Sequence, residues 1–520
     1  MTDPRDPFAE PEADDAETPA RISARSVAIW GARATGGLVA VGVAVVVAIG
    51  SVFLTPPTFS VTPPETIVEP EPASQTLVCP GPLLRLADES GQNASDATAL
   101  DTPVVRFSAA SGELTEGALA QSDAGTGGTA RAPRLGFVTP VDGEPPIVAG
   151  VQSDRAASGN VVGYTTASCQ QPALRSWIIG GSTQLGRTSI LTISNPSSVE
   201  ATVDLDLYGE LGAVDAVGLE GIVIPAGSQR VIPVNGFSLE QRAPVIGISS
   251  TGGNVAAFLQ ESIIRTLVPG GVDLSGQQSP STELVIPGVL VQGEQALAPL
   301  NTTPIDQDDT MPTLRLFAPD AGAVTATVAL VPDGSTLAEA LAQPREFDAE
   351  APGDAHIDAP SVASPMSFDV TIADGAVAEV PIPGIAPGTY TVVVTAAEPL
   401  VGAVRASRTG SAGIDFAWYS PAGGLGETAV ISAAELGTSL WVANTGAAER
   451  TVTLGAPAGE QSLVVPAGGA VSATLTAGAE YSLSGMSGLH AAIVSGGNGL
   501  VAQSPLLPQA PLEQPVRVHS

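Results

Sequence analysis

An all-β chain of tandem two-sheet sandwiches is the fold class the sequence predicts, and three observations predict it. A hairpin pattern recurs four times, apolar strand positions alternate with solvated ones, and 58 Gly with 45 Pro leave little room for long helices. The pattern is an extended apolar strand, a short turn, and a second strand reading apolar, small, small, apolar. It runs Ile147-Val148-Ala149-Gly150-Val151 into Val161-Val162-Gly163-Tyr164, and Val245-Ile246-Gly247-Ile248 into Val255-Ala256-Ala257-Phe258. It returns as Val392-Val393-Val394 into Val401-Gly402-Ala403-Val404, and as Tyr481-Ser482-Leu483 into His490-Ala491-Ala492-Ile493. Such recurrence points to one structural unit copied in tandem, which favours a scaffold or binder over a single-cleft enzyme.

In chain order, residues 1–33 come first as a cytoplasmic tail, acidic and Pro-rich over Met1 to Ala20 and read as disordered. Residues 34–54, Ala34 to Leu54, carry no charge over 21 positions. At about 1.5 Å per residue they span about 30 Å, the thickness of a bilayer core, so they read as a transmembrane helix. Arg21, Arg25 and Arg33 precede this run and no Arg follows until Arg85. The positive-inside bias therefore places the tail in the cytoplasm and everything after residue 54 outside. The long leading region weighs for an uncleaved single-pass anchor in the cell membrane. The small-x-small run Ala48-Ile49-Gly50 keeps a cleaved signal peptide as the alternative, and either one exports the rest of the chain. Residues 55–75, with Pro56, Pro57, Pro63, Pro64, Pro70 and Pro72 among Glu65, Glu69 and Glu71, read as a semi-rigid stalk.

Four modules follow, over 76–171, 172–267, 282–410 and 414–506, with 507–520 as a C-terminal tail. Each is the size of one ordinary domain. The second and fourth match best. Leu191, Ile193, Asn195, Glu200, Thr202, Val203 and Leu205 recur as Leu440, Val442, Asn444, Glu449, Thr451, Val452 and Leu454. Val223-Ile224-Pro225-Ala226-Gly227 returns as Val464-Val465-Pro466-Ala467-Gly468 at a shorter offset, which puts a longer loop around Tyr208 to Asp215. Within Thr202 to Leu207, Val203, Leu205 and Leu207 face one way and Asp204 and Asp206 the other, as in a half-buried strand. The helix candidate, Leu337 to Ala342, lies within the 333–366 insertion of the third module. Pro387-Gly388-Thr389-Tyr390 resembles the turn that opens a late strand in immunoglobulin-like surface modules, where the Tyr hydroxyl bonds back to preceding backbone. Ala477-Gly478-Ala479-Glu480-Tyr481 is a looser version. Each module is thus expected to be an immunoglobulin-like β-sandwich, folding largely as its own unit.

Charge and chemistry narrow the function. All 20 basic residues are Arg, and the formal net charge is −33, so an exported surface of this sign repels nucleic acid and anionic lipid head groups. Cys79 and Cys169, in the opening and closing strands of the first module, have no competitor, and a disulfide is the simple reading in an oxidising compartment. Closing that loop is worth about 4–5 kcal/mol in the chain-entropy treatment. No Gly-x-Ser-x-Gly elbow, His-Glu-x-x-His or P-loop occurs, and His356, His490 and His519 are the only histidines. No catalytic residue, cofactor or metal site is therefore assigned, although a glycosidase needs only two carboxylates. Asp306-Gln307-Asp308-Asp309 reads as a solvated acidic loop, with a Ca²⁺ site as the sharper alternative. Asn93-Ala94-Ser95 and Asn301-Thr302-Thr303 fit glycosylation sequons.

Trp177 and Trp418 each precede a Gly-rich stretch. A sugar-binding platform is one reading of them, and a core or junction anchor is the favoured one. At these residues a resemblance emerges. The anchor, the Pro-rich stalk, Cys79-Pro80-Gly81-Pro82, Cys169 shortly before Trp177, and Gly186 to Pro196 together resemble a family of envelope proteins of high-GC Gram-positive bacteria with no assigned function. The resemblance implies an extracytoplasmic place and an association with envelope glycosyltransferases. It supplies no catalytic residues. The expected protein is a non-catalytic, membrane-anchored scaffold or interaction protein of the envelope, with envelope proteins as partners. A glycan-binding accessory to polysaccharide assembly, with cell-wall glycan as ligand, is the alternative.

Overall fold

The alternation written into the strands sets the layers. In Ala201–Gly209, Val203, Leu205 and Leu207 are buried while Asp204 and Asp206 face solvent. Central strands flanked on both faces lose that alternation, and Ala256–Arg265 is buried almost throughout. The computed structural model describes residues 65–68, 72–86, 97–124, 132–265, 267–298, 309–345, 362–382, 384–456, 458–508 and 516–519. The 34–54 segment, most of the 55–75 stalk, His356 and both sequons lie outside the described residues. No helix among the described residues is long and apolar enough to cross a membrane.

Four two-sheet sandwiches share one strand order. In the second, the strands in sequence are Arg175–Ile179, Arg187–Asn195, Ala201–Gly209, Ile222–Ile224, Ser228–Pro233, Val245–Thr251, Ala256–Arg265 and Val268–Gly276. One sheet runs first, sixth, third, fourth, and the other runs eighth, seventh, second, fifth. The fourth sandwich, from Thr428–Ser432 to Leu500–Pro505, repeats both orders. So does the third, where the long strand Gly388–Gly410 supplies the sixth strand with one half and the seventh with the other. The first sandwich shows the same arrangement in three plus three strands. Relative to the immunoglobulin order, in which the first strand flanks the second and the seventh flanks the sixth, these two strands have traded sheets. An eighth strand is added beside the seventh.

The strand that opens on Tyr390 behaves as its sequence implies. The Tyr390 hydroxyl donates to the Ala386 carbonyl at 2.8 Å, and Tyr481 uses its hydroxyl instead to accept the Thr476 N–H at 2.7 Å. The match between modules two and four also has a physical basis. Asn195 Nδ2 donates to the carbonyls of Val199, Ile224 and Pro225, and Asn444 Nδ2 donates to those of Ala448, Val465 and Pro466. The helix spans Leu337–Leu341 and starts on a capping box between Thr336 and Glu339.

Three expectations shift. The strands Val268–Gly276 and Gly413–Tyr419 complete the second and third sandwiches, although the sequence windows ended at 267 and 410. The first copy of the recurring pattern is one strand out of phase. It covers the seventh and eighth strands of its sandwich, whereas the other three copies cover the sixth and seventh. Short apolar runs of period two look alike, so a slip by one hairpin leaves the pattern intact. Finally, residues 69–515 form one unit rather than a string of separate modules. A separate two-stranded ladder pairs Glu65–Val68 with Val516–His519.

The eighth strands explain that unity. Val161–Ser168, Val268–Gly276, Gly413–Tyr419 and Leu500–Pro505 each form the outer edge of a sheet. They pack in a closed cycle, first on second, second on third, third on fourth, fourth on first. We call them the axial strands. Neighbouring sandwiches also share apolar core. Ile179, Val245 and Ile263 of the second pack with Phe317, Val401 and Phe416 of the third, and Val78, Leu119 and Leu135 of the first pack on Ala256 and Phe258.

Candidate functional site

Edge strands carry backbone N–H and C=O groups with no ladder partner, and burying one unpaired costs about 1–3 kcal/mol. At the axis, side chains take the ladder's place. Asp415 accepts from the backbone N–H of Tyr164 at 2.9 Å, of Val272 at 3.2 Å and of Val501 at 3.4 Å, one from each of the other axial strands. Asp273 accepts from the backbone N–H of Trp418 at 2.7 Å. Gln503 accepts from the Ser420 N–H at 3.2 Å and donates to its carbonyl at 3.1 Å. Gly271, at φ +117°, passes so close that a Cβ would meet Asp415 Oδ1 at 2.8 Å, which requires glycine there. Loss of solvation outweighs the donors: burial pushes the Asp273 carboxyl up to about 8 and that of Asp415 well above its ordinary range. Burial raises Glu261 too, against the pull of Arg405, the Trp418 hydrogen bond and Arg315.

Between the second and third sandwiches the buried charges are paired. Arg315 binds Glu379 at 2.7 and 3.2 Å and donates to the carbonyls of Gly181, Pro244 and Arg242. Its guanidinium lies 4.4 Å from the centre of the Trp418 ring. Asp309 receives Arg187, and Arg405 at 3.0 Å, with Arg265 at 3.8 Å. Asp309 is thus an interior ionic hub, where the sequence suggested a solvated loop or a Ca²⁺ ligand. Asp306, Gln307 and Asp308 lie outside the described residues. Among the described residues no three His, Cys, Asp or Glu side chains gather as a metal ion would require.

Both tryptophans sit at this junction. Trp418 is 1% exposed and donates its ring N–H to Glu261 at 2.7 Å. A solvent-facing sugar platform is not available at this side chain. Trp177 is half-buried and packs on Tyr208 and Phe317 at 5.9 and 5.3 Å between ring centres. Trp177 stands in the opening strand of the second sandwich and Trp418 in the closing strand of the third, and the two line one inter-sandwich seam. Cys79 and Cys169 are joined, which ties the first strand of the first sandwich to the segment after its axial strand.

A cavity of about 600 Å³ lies where the axial strands end. Ser168, Gly276, Ser420, Gln503 and Ser504 bring all four sandwiches to it, and Cys169 stands in its wall. Gln170, Gln171, Gln277 and Gln278 add side-chain amides, while Pro172, Pro280, Pro421 and Pro508 stiffen the rim. The lining holds one carboxylate, Glu283, and one imidazole, His490, with no Arg and no Phe, Tyr or Trp. His490 Nδ1 is 2.8 Å from the Ala422 carbonyl, an acceptor only, so this nitrogen carries a hydrogen. The raised carboxyls of Glu261, Asp273 and Asp415 do not line the cavity.

Sequence reasoning missed these groups, although faint signals exist. Asp273 and Asp415 are lone acids in the apolar second strand of a hairpin, in Gly271-Val272-Asp273 and Gly413-Ile414-Asp415. Gln260-Glu261 interrupts an otherwise apolar run. Fold and cavity together define a ring of four β-sandwiches closed around a polar axis, with an amide-lined cavity at one end. By sequence the chain belongs to a family of unknown function, DUF5719, whose match covers residues 122–479. No curated protein matches it.

Proposed function

We propose that the protein is a non-catalytic, membrane-anchored interaction protein of the cell envelope. Its exported body stands off the membrane on the 55–75 stalk and presents the axial cavity to a partner. The observation that carries this reading is the lining of that cavity: amides, hydroxyls and prolines, with Glu283 as its single carboxylate. A glycan hydrolase works with a facing pair of carboxylates, so this lining favours binding over cleavage. The Cys79–Cys169 bond supports an oxidising compartment, as does the uncharged 34–54 run behind its Arg residues. The Tyr390 corner supports reading each sandwich as a variant of the immunoglobulin-like type. Resemblance to envelope proteins of high-GC Gram-positive bacteria points the same way. Crosslinking intact membranes and isolating the full chain under denaturing conditions tests the proposal. Recovery of exported envelope proteins supports it. Recovery of wall polysaccharide instead promotes the glycan-binding accessory, and recovery of neither removes both.

A further inference from the structure

We propose that the axial cavity docks an extended, uncharged polypeptide segment and reads it through its backbone. This names the ligand class of the interaction reading above and rests on it. The molecule itself shows the chemistry. Its glutamine side chains repeatedly bracket the backbone of one residue, accepting from its N–H and donating to its C=O. Gln152 does so with Gly81, Gln260 with Leu84 at 2.7 Å on both sides, and Gln292 with Thr409 at 2.6 and 3.1 Å. At the cavity, Gln503 brackets Ser420, and Gln170, with its amide oriented oxygen to the Gln277 N–H, brackets Gln277 at 3.0 and 3.2 Å. A side-chain amide is the neutral surrogate for a neighbouring strand, and it satisfies backbone without a charge that burial would penalise.

Two groups in the same wall are left over. Gln278 Oε1 accepts the Gly402 N–H at 3.3 Å, but its Nε2 has no partner, and neither has the Ser176 hydroxyl. Both residues line the cavity. Orphaned buried polar atoms in the wall of a cavity are the groups a ligand would complete. The remaining lining selects among ligands. Without Phe, Tyr or Trp it lacks the broad face on which a sugar ring stacks, and without Arg it lacks a bidentate partner for carboxylate or phosphate. Val148, Leu284, Ile431 and the rim prolines offer apolar contact to small and aliphatic side chains. The volume is in the range of a ligand pocket, enough for a segment of a few residues.

The full chain in detergent micelles, panned against phage-displayed random linear peptides, tests this. Synthetic peptides from enriched clones are then titrated by calorimetry beside maltotriose, the neutral-sugar probe. Enriched sequences should be poor in Asp and Glu and rich in Pro and small or aliphatic residues. Ser279 lines the cavity from an exposed position, so Ser279→Trp blocks it without touching the core. That variant should weaken the peptides by about tenfold or more while leaving the melting temperature unchanged. Gln278→Glu, which removes the free donor, should weaken them in the same direction. No enrichment over a blank surface, equal peptide affinity in Ser279→Trp, or binding of maltotriose in place of peptides each overturns the proposal. Membrane crosslinking repeated with Ser279→Trp separates the two levels. Partners retained by the blocked chain refute the cavity inference and leave the interaction reading standing, whereas no partner even for the native chain refutes that reading itself.

Discussion

Asp273 holds its proton in the folded chain up to about pH 8 and loses it near its ordinary value of 3.8 when unfolded. Between those limits the native state binds a proton that the unfolded state lacks, so stability falls as pH rises from about 4 to about 8 and levels off above. Asp415 and Glu261, also raised by burial, act in the same direction. Asp273→Asn keeps an acceptor for the Trp418 N–H and removes the proton, so its melting temperature should decline less with pH than that of the native chain. Thermal melts at about pH 5, 7 and 9 check this, and parallel declines in the two proteins would sink it. The two tryptophans should separate as well. Trp418→Ala empties a buried site and strips Glu261 of a donor, costing about 3–5 kcal/mol. Trp177→Ala, half-exposed, should cost about 1–2 kcal/mol by denaturant unfolding. Sequence reasoning favoured an anchor role for both residues but had no means to find Glu261 or Arg315 around Trp418. Their pairing joins positions far apart in the chain, and no local pattern encodes it.

Strands and turns were the legible level. Alternation in Ala201–Gly209, the Tyr390 corner, the capped Leu337–Leu341 helix and the paired cysteines all follow from local rules. The eighth strands of the second and third sandwiches were not legible. Val268–Gly276 holds two adjacent glycines and a proline, so it reads as a linker by composition while it pairs in register with Ala256–Arg265. The axis also changes what losing the disulfide should do. Cys79→Ala should cost about 2–5 kcal/mol. The strand Ile147–Ser158 and the first axial strand pack against Thr428–Ser432 and Leu500–Pro505, so the damage should not stay in the first sandwich. Hydrogen exchange should show faster exchange in those strands of the fourth sandwich too. Loss of protection confined to residues 75–168 would restore the picture of independent modules.

At the scale of the whole molecule, four sandwiches sharing one axis should unfold together. Calorimetry of the full chain should show one main transition for residues 69–515 rather than four. Deleting 428–508 should leave the first and third axial strands with open edges, and light scattering should then report association of the shortened chain. The expected orientation is tested separately. Protease added to cells with an opened wall should degrade residues 55–520 and spare a tag at Met1, and digestion of that tag would reverse the assignment. The closed cycle of axial strands also has a consequence in time. The first axial strand ends at Ser168, and the strand that seals its outer edge begins at Leu500. At a synthesis rate of 5–20 residues per second, the early partner leaves the ribosome about 20–70 s before the late one exists. For that interval a finished strand waits beside an empty seat. Whatever escorts the nascent chain must keep that seat from being taken by the same strand of another copy.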